Sequence, residues 1–163
     1  MNTKRISRLA LLTALAMVLS WLEHLIPLPA ALPPGIKLGL TNLVVLFALY
    51  RMNFRDAAII NFVRVLLVSF TFGNAYAFAY SFMGAALSLP AMALLKCSEK
   101  FSPVGVSVVG GVCHNLGQIL VAMFVLENRG LLTYLPVLMV SGVAAGAAVG
   151  IVGGLLVQRI PKT

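Results

Sequence analysis

The stretch Ala57-Ala58-Ile59-Ile60-Asn61-Phe62-Val63-Arg64-Val65-Leu66-Leu67-Val68-Ser69-Phe70-Thr71-Phe72 decides how this chain is read. It is an apolar run with one arginine at its middle. The chain is 61% hydrophobic with mean hydropathy +1.02, so most of it belongs in a bilayer. A charge at mid-membrane costs roughly 2.5–3.5 kcal/mol on insertion scales. The four acidic residues, Glu23, Asp56, Glu99 and Glu127, fall at or near the ends of apolar segments, so none neighbours Arg64 along its own helix. The cation needs carbonyls, water, a carboxylate from another helix, or an anionic ligand. Arg64 is therefore a candidate site residue by default, with a structural arginine bonded to a helix end as the plainer alternative.

Working outward, apolar length and helix breakers predict an all-α polytopic membrane protein of one domain, with spans over about 7–26, 36–50, 55–72, 75–96, 103–126 and 131–158. Pro27 and Pro29 end the first span, Gly73-Asn74 ends the third, and Ser102-Pro103 supplies an N-cap and N1 proline for the fifth. Pro90 predicts a kink in the fourth, and Pro136 a delayed start to the sixth. The second span is short for a bilayer that needs about 20 residues. The basic start Lys4-Arg5-Ile6-Ser7-Arg8 before an apolar run mimics a signal peptide, but Trp21, Glu23, His24 and Pro27 make a poor cleavage site, so a retained first helix is expected.

The charges orient this arrangement. With both termini cytoplasmic, nine basic residues (Lys4, Arg5, Arg8, Arg51, Arg55, Lys96, Lys100, Arg159, Lys162) lie inside and two (Lys37, Arg129) outside. The net charge of +8 is thus spread by membrane topology, not gathered into a nucleic-acid-binding stripe. Cys97 and Cys113 offer no CxxC and no zinc spacing.

Polar residues inside the spans are few. Asn61 and Arg64, at i and i+3, share a helix face. His114, Asn115 and Gln118 form a second cluster, and Asn42 stands with Thr41 at the outer start of the second span. Arg64 and His114 fall near mid-depth, with Gln118, Asn42 and Glu23 further out, so these groups are expected to line one cavity open to the exterior. Each of His114 and Asn115 has a plainer role as hydrogen-bonding glue between helices, a stabilisation of about 0.6–2 kcal/mol. Gly142, Gly146, Gly150 and Gly154 form a small-residue stripe marking a helix-packing face, and Ala10 and Ala14 form a shorter one. The proline-rich loop at 27–35 is stiff and apolar, and reads either as a lid over the outer face or as a rigid connector.

Catalytic signatures are missing. The sequence has no Asp-rich pair to hold magnesium for prenyl diphosphate chemistry, no Walker A and no GxSxG. Nothing in it asks for a metal or other cofactor.

The segment Pro34-Gly35-Ile36-Lys37-Leu38-Gly39-Leu40-Thr41-Asn42-Leu43, together with His114-Asn115-Leu116-Gly117-Gln118, resembles the bacterial membrane family described both as "heptaprenyl diphosphate synthase component I" and as "Gx transporter". That family is similar to the substrate-binding S components of energy-coupling-factor vitamin transporters. The resemblance implies an S-component-like bundle in the bacterial cytoplasmic membrane, with a substrate site near the outer face and a covering loop between the first two helices. It also implies docking on a transmembrane coupling subunit with ATPases through an Ala-xxx-Ala patch, which Ala10 and Ala14 match. The leading expectation is a substrate-binding subunit for a small anionic molecule, with Arg64, Asn61, His114, Asn115, Gln118, Asn42 and Lys37 at the site. The alternatives are an accessory subunit of polyprenyl diphosphate or quinone synthesis, and a structural subunit of a membrane electron-transfer assembly.

Overall fold

The computed structural model describes residues 3–26 and 38–160. The expectations for Lys37, for the loop at 27–35, for helix beginning at 36 and for Lys162 lie outside the described residues. Six α-helices carry the chain: α1 (Thr3–Leu25), α2 (Leu40–Arg51), α3 (Phe54–Phe72), α4 (Ala75–Cys97), α5 (Pro103–Val125) and α6 (Leu135–Arg159). A 3-10 helix, Arg129–Tyr134, precedes α6, so Pro136 falls in the first turn of the regular helix, as the sequence predicts.

Local chemistry sets the starts. Asn53 caps α3 by accepting the Asp56 N–H at 2.8 Å, Asn74 caps α4 from Ala77 at 2.9 Å, and Ser102 caps α5 from Gly105 at 3.2 Å. Among the described residues, 38 and 39 precede α2 and are not helical. Its first residue is Leu40, because Gly39 takes φ 75°, a left-handed conformation that a right-handed helix cannot continue through. α4 is helical on both sides of Pro90 without interruption.

Four helices are long and apolar enough to cross a membrane: α1, α4, α5, and α6 with its 3-10 turn. α2 has 12 residues, about 18 Å at 1.5 Å per residue, and α3 carries Arg55, Asp56 and Arg64 within 19 residues. α2 is nevertheless central. Val44, Val45, Leu46, Ala48 and Leu49 are all buried, joined by Ala57 and Ile60 of α3, Leu89 and Met92 of α4 and Val106 of α5. A helix apolar all round suits this enclosed position.

The helices run antiparallel in sequence, and glycines let the last three approach closely. A Cβ on Gly146 would stand 2.6 Å from Val108 Cα, and one on Gly150 would stand 2.6 Å from Val104 Cα, so the α6 stripe packs on α5 backbone. Gly142 meets Gly111 and Asn115 in the same seam, whereas Gly154 has ordinary room against Pro103 at 3.6 Å. Gly153, beside the stripe, receives Leu46 of α2. At one end of the bundle Arg5 of α1 pairs with buried Asp56 of α3, and Lys96 of α4 donates to the Leu49 carbonyl of α2 at 2.6 Å.

Candidate functional site: a polar cleft at the α1, α2 and α3 ends

The opposite end of the bundle holds two adjoining cavities, of about 50 and 350 Å³, that share Glu23, Thr41, Arg64 and Ser81. The smaller reaches α5 and α6, and Asn42, His114, Asn115 and Gln118 stand on its wall beside Arg64. Polar residues from α2, α3 and α5 are thus brought together, as their depths along the helices predict. The larger cavity adds Ser20 and His24 of α1 and an apolar side of Val65, Val68 and Phe72 from α3.

Arg64 is half-buried. Its Nη2 donates to Asn61 Oδ1 at 2.6 Å, and its buried Nε has no hydrogen-bond partner. Asn61 is itself buried and is absent from the walls of both cavities, so it acts by holding the guanidinium and does not face the cleft. That corrects its expected place among the lining residues. The i, i+3 spacing explains the pairing, since the two side chains rise from one face of α3.

Glu23 comes from the last turn of α1. One carboxylate oxygen, Oε1, accepts the Gly39 N–H at 2.5 Å and so anchors the left-handed residue at the start of α2. The Glu23 and Arg64 side chains both line the two cavities. No ion pair within 4.0 Å joins the two among the described residues. The acid that shares the cleft with Arg64 comes from another helix. Ser20 and Thr41 hydroxyls, 2.9 Å apart, tie α1 to α2 beside it, and His24 stacks on Phe72 with centroids 6.3 Å apart.

The α5 cluster divides. Asn115 donates to the Leu138 carbonyl at 2.6 Å and to Ser141 Oγ at 3.3 Å, which is the gluing role, although its edge also borders the small cavity. Gln118 is buried, and its Oε1 has no partner. His114 packs over Gly84 of α4, where any side chain would collide with the imidazole at 2.8 Å. Ser81 and Ser107 also line the cleft and were not expected there; serine is too common in membrane helices to have marked them. Ala10 and Ala14 lie on the exposed face of α1, away from its buried positions Leu9 and Ala16. Among the described residues no group of three or more His, Cys, Asp or Glu is placed to hold a metal ion.

No curated protein and no solved structure matches the chain. The model of one protein family does, over residues 12–156, and its description, a component of a synthase, agrees with the resemblance carried by the segments around Gly39 and His114. The match spans nearly all six helices and both walls of the cleft, and on that ground the chain belongs to the heptaprenyl diphosphate synthase component I family.

Proposed function

We propose that the chain is a membrane substrate-binding subunit that captures a small anionic molecule and is energised by partner subunits. The observation that supports this is Arg64, a cation inside an apolar bundle, bordering a cleft, with a buried Nε lacking a partner. A guanidinium held there is costly unless an anion or strong acceptor answers it. In this reading Arg64 neutralises the substrate anion, Asn61 fixes the guanidinium, and Asn42, His114 and Gln118 orient the ligand.

All six helices cross the bacterial cytoplasmic membrane in this reading, with both termini inside, as the nine-to-two distribution of basic residues favours. α2 is covered by its neighbours and need not match the hydrocarbon thickness by itself. The chain has no nucleotide motif, so energy comes from a coupling subunit with ATPases, docked on Ala10 and Ala14.

The family's description favours a second reading, an accessory, non-catalytic subunit of prenyl diphosphate synthesis. The two separate experimentally. Mass spectrometry of small molecules retained by the purified protein should find a bound compound in wild type, none in Arg64→Ala, and less in Arg64→Lys. Lysine lacks the planar fork that holds a carboxylate or phosphate at two points. Unchanged retention in a normally inserted Arg64→Ala protein would reduce Arg64 to a structural role. An empty wild-type protein, with a soluble prenyl diphosphate synthase dependent on this chain, would establish the second reading instead.

A further inference from the structure

We infer that the ligand of this cleft is a zwitterion with an apolar body, carrying an amine for Glu23 as well as an anionic group for Arg64. This rests on the substrate-capture reading and narrows it. The first ground is charge. Glu23 and Arg64 both line the two cavities, and they do not neutralise each other by direct contact. The cleft therefore presents one fixed anion and one fixed cation at separated points. A ligand bearing only an anionic group would satisfy Arg64 and bring like charge towards Glu23 in a medium where water screens poorly. A ligand bearing both charges meets each with its opposite.

The second ground is the balance of unmet hydrogen bonds. Arg64 Nε is a buried donor without an acceptor, and Gln118 Oε1 is a buried acceptor without a donor, on a side chain only 9% exposed. Glu23 spends Oε1 on the Gly39 N–H, and an ionised carboxylate keeps further acceptor capacity at its second oxygen. The site thus asks for acceptors at one point and for donors at two others. A carboxylate or phosphate supplies the first, and an ammonium, with three donors, supplies the second. Buried polar groups left unpaired are what allow a site to reject an analogue that lacks the matching group.

The third ground is shape. The smaller space of about 50 Å³ sets Asn42, His114 and Gln118 beside Glu23 and Arg64, while the larger one of about 350 Å³ shares both charges and adds Val65, Val68 and Phe72 of α3. That volume lies within the usual range for small-molecule pockets, roughly 300–1,000 Å³. The charged head then sits between Glu23 and Arg64, and an apolar body extends along α3.

Phenylalanine, N-acetylphenylalanine and phenylalanine amide place both charges, the anion alone and the cation alone on one frame. Their binding to the purified full chain is measured by thermal shift and equilibrium dialysis. Phenylalanine should bind wild type at least tenfold more tightly than either analogue. Glu23→Gln should invert that order in favour of N-acetylphenylalanine. N-acetylphenylalanine binding wild type as well as phenylalanine does, or no binding by any of the three, overturns the zwitterion assignment. Mass spectrometry of compounds retained by the same preparation tells this failure from that of the capture reading. A retained acid without an amine ends the zwitterion assignment and leaves capture standing, and a wild-type protein that retains nothing ends both.

Discussion

Arg5 and Asp56 are joined across α1 and α3, with the arginine Nε and Nη2 donating to the same carboxylate oxygen at 2.9 and 2.5 Å. The other oxygen accepts from Asn53 Nδ2 at 2.9 Å, and Asp56 is 3% exposed. A carboxylate this enclosed depends on its donors. Arg5 is more exposed, at 41%, so solvent weakens the pair. Arg5→Ala should cost about 1–2 kcal/mol of stability, chiefly because it strands a buried charge. The double variant Arg5→Ala with Asp56→Asn should recover part of that loss. Thermal unfolding of the four proteins in detergent gives the coupling as a double-mutant cycle, and additive losses would show that the pair is not coupled.

The glycine seam between α5 and α6 makes a contrast within one stripe. Gly146→Ala drives a methyl to 2.6 Å from the α5 backbone, where neither atom belongs to a flexible side chain. It should destabilise by about 1–3 kcal/mol, as overpacked cores do. Gly154→Ala, with its nearest neighbour at 3.6 Å, should be neutral or slightly stabilising, since alanine is the better helix former. Melting temperatures of the two variants check the difference.

Gly39 holds φ 75° while its N–H is bonded to Glu23. Gly39→Ala should therefore cost about 1–2 kcal/mol from the left-handed backbone alone. Gly39→Asn should cost less, because asparagine tolerates that region. Equal losses in the two variants, measured by thermal unfolding, would mean that packing and not backbone conformation governs this position.

Ala10 and Ala14 are exposed, so bulk added there meets no neighbour within the bundle. Ala10→Leu with Ala14→Leu should leave the melting temperature of the isolated chain and its ligand retention unchanged. Co-purification of a coupling subunit should fail, because leucines hold a neighbouring helix away from close contact. Normal stability with unchanged co-purification would remove this patch from the docking surface.

Single cysteines introduced into a chain lacking Cys97 and Cys113 test the orientation. Position 129 should react with an impermeant maleimide added to intact cells, and positions 53 and 98 should not. The two sets fall on opposite sides of the nine-to-two charge distribution. Labelling of position 53 from outside would reverse the topology.

Helix identity was legible in the residues because capping and breaking are local. Asn74, Ser102, Pro103 and Pro136 each act within a turn of their own position, and α4 to α6 begin beside them, whereas the Asn53 cap of α3 was not read from the sequence. Depth along each helix was legible too, which is why Asn42, Arg64, His114 and Gln118 could be expected at one cleft before any packing was known. Rotation about each helix axis was not. These helices are apolar on nearly every side, so periodicity does not say which face meets which neighbour. Only tertiary structure turned Asn61 onto Arg64, committed Asn115 to the Leu138 carbonyl, pressed the α6 glycines onto α5 and left Ala10 and Ala14 outward. It also decided how Arg64 is answered. Glu23 lies 41 positions away on another helix, and the parallel packing of α1 against α3, start to start at Arg5 and Asp56 and end to end at His24 and Phe72, brings their charges to one cleft.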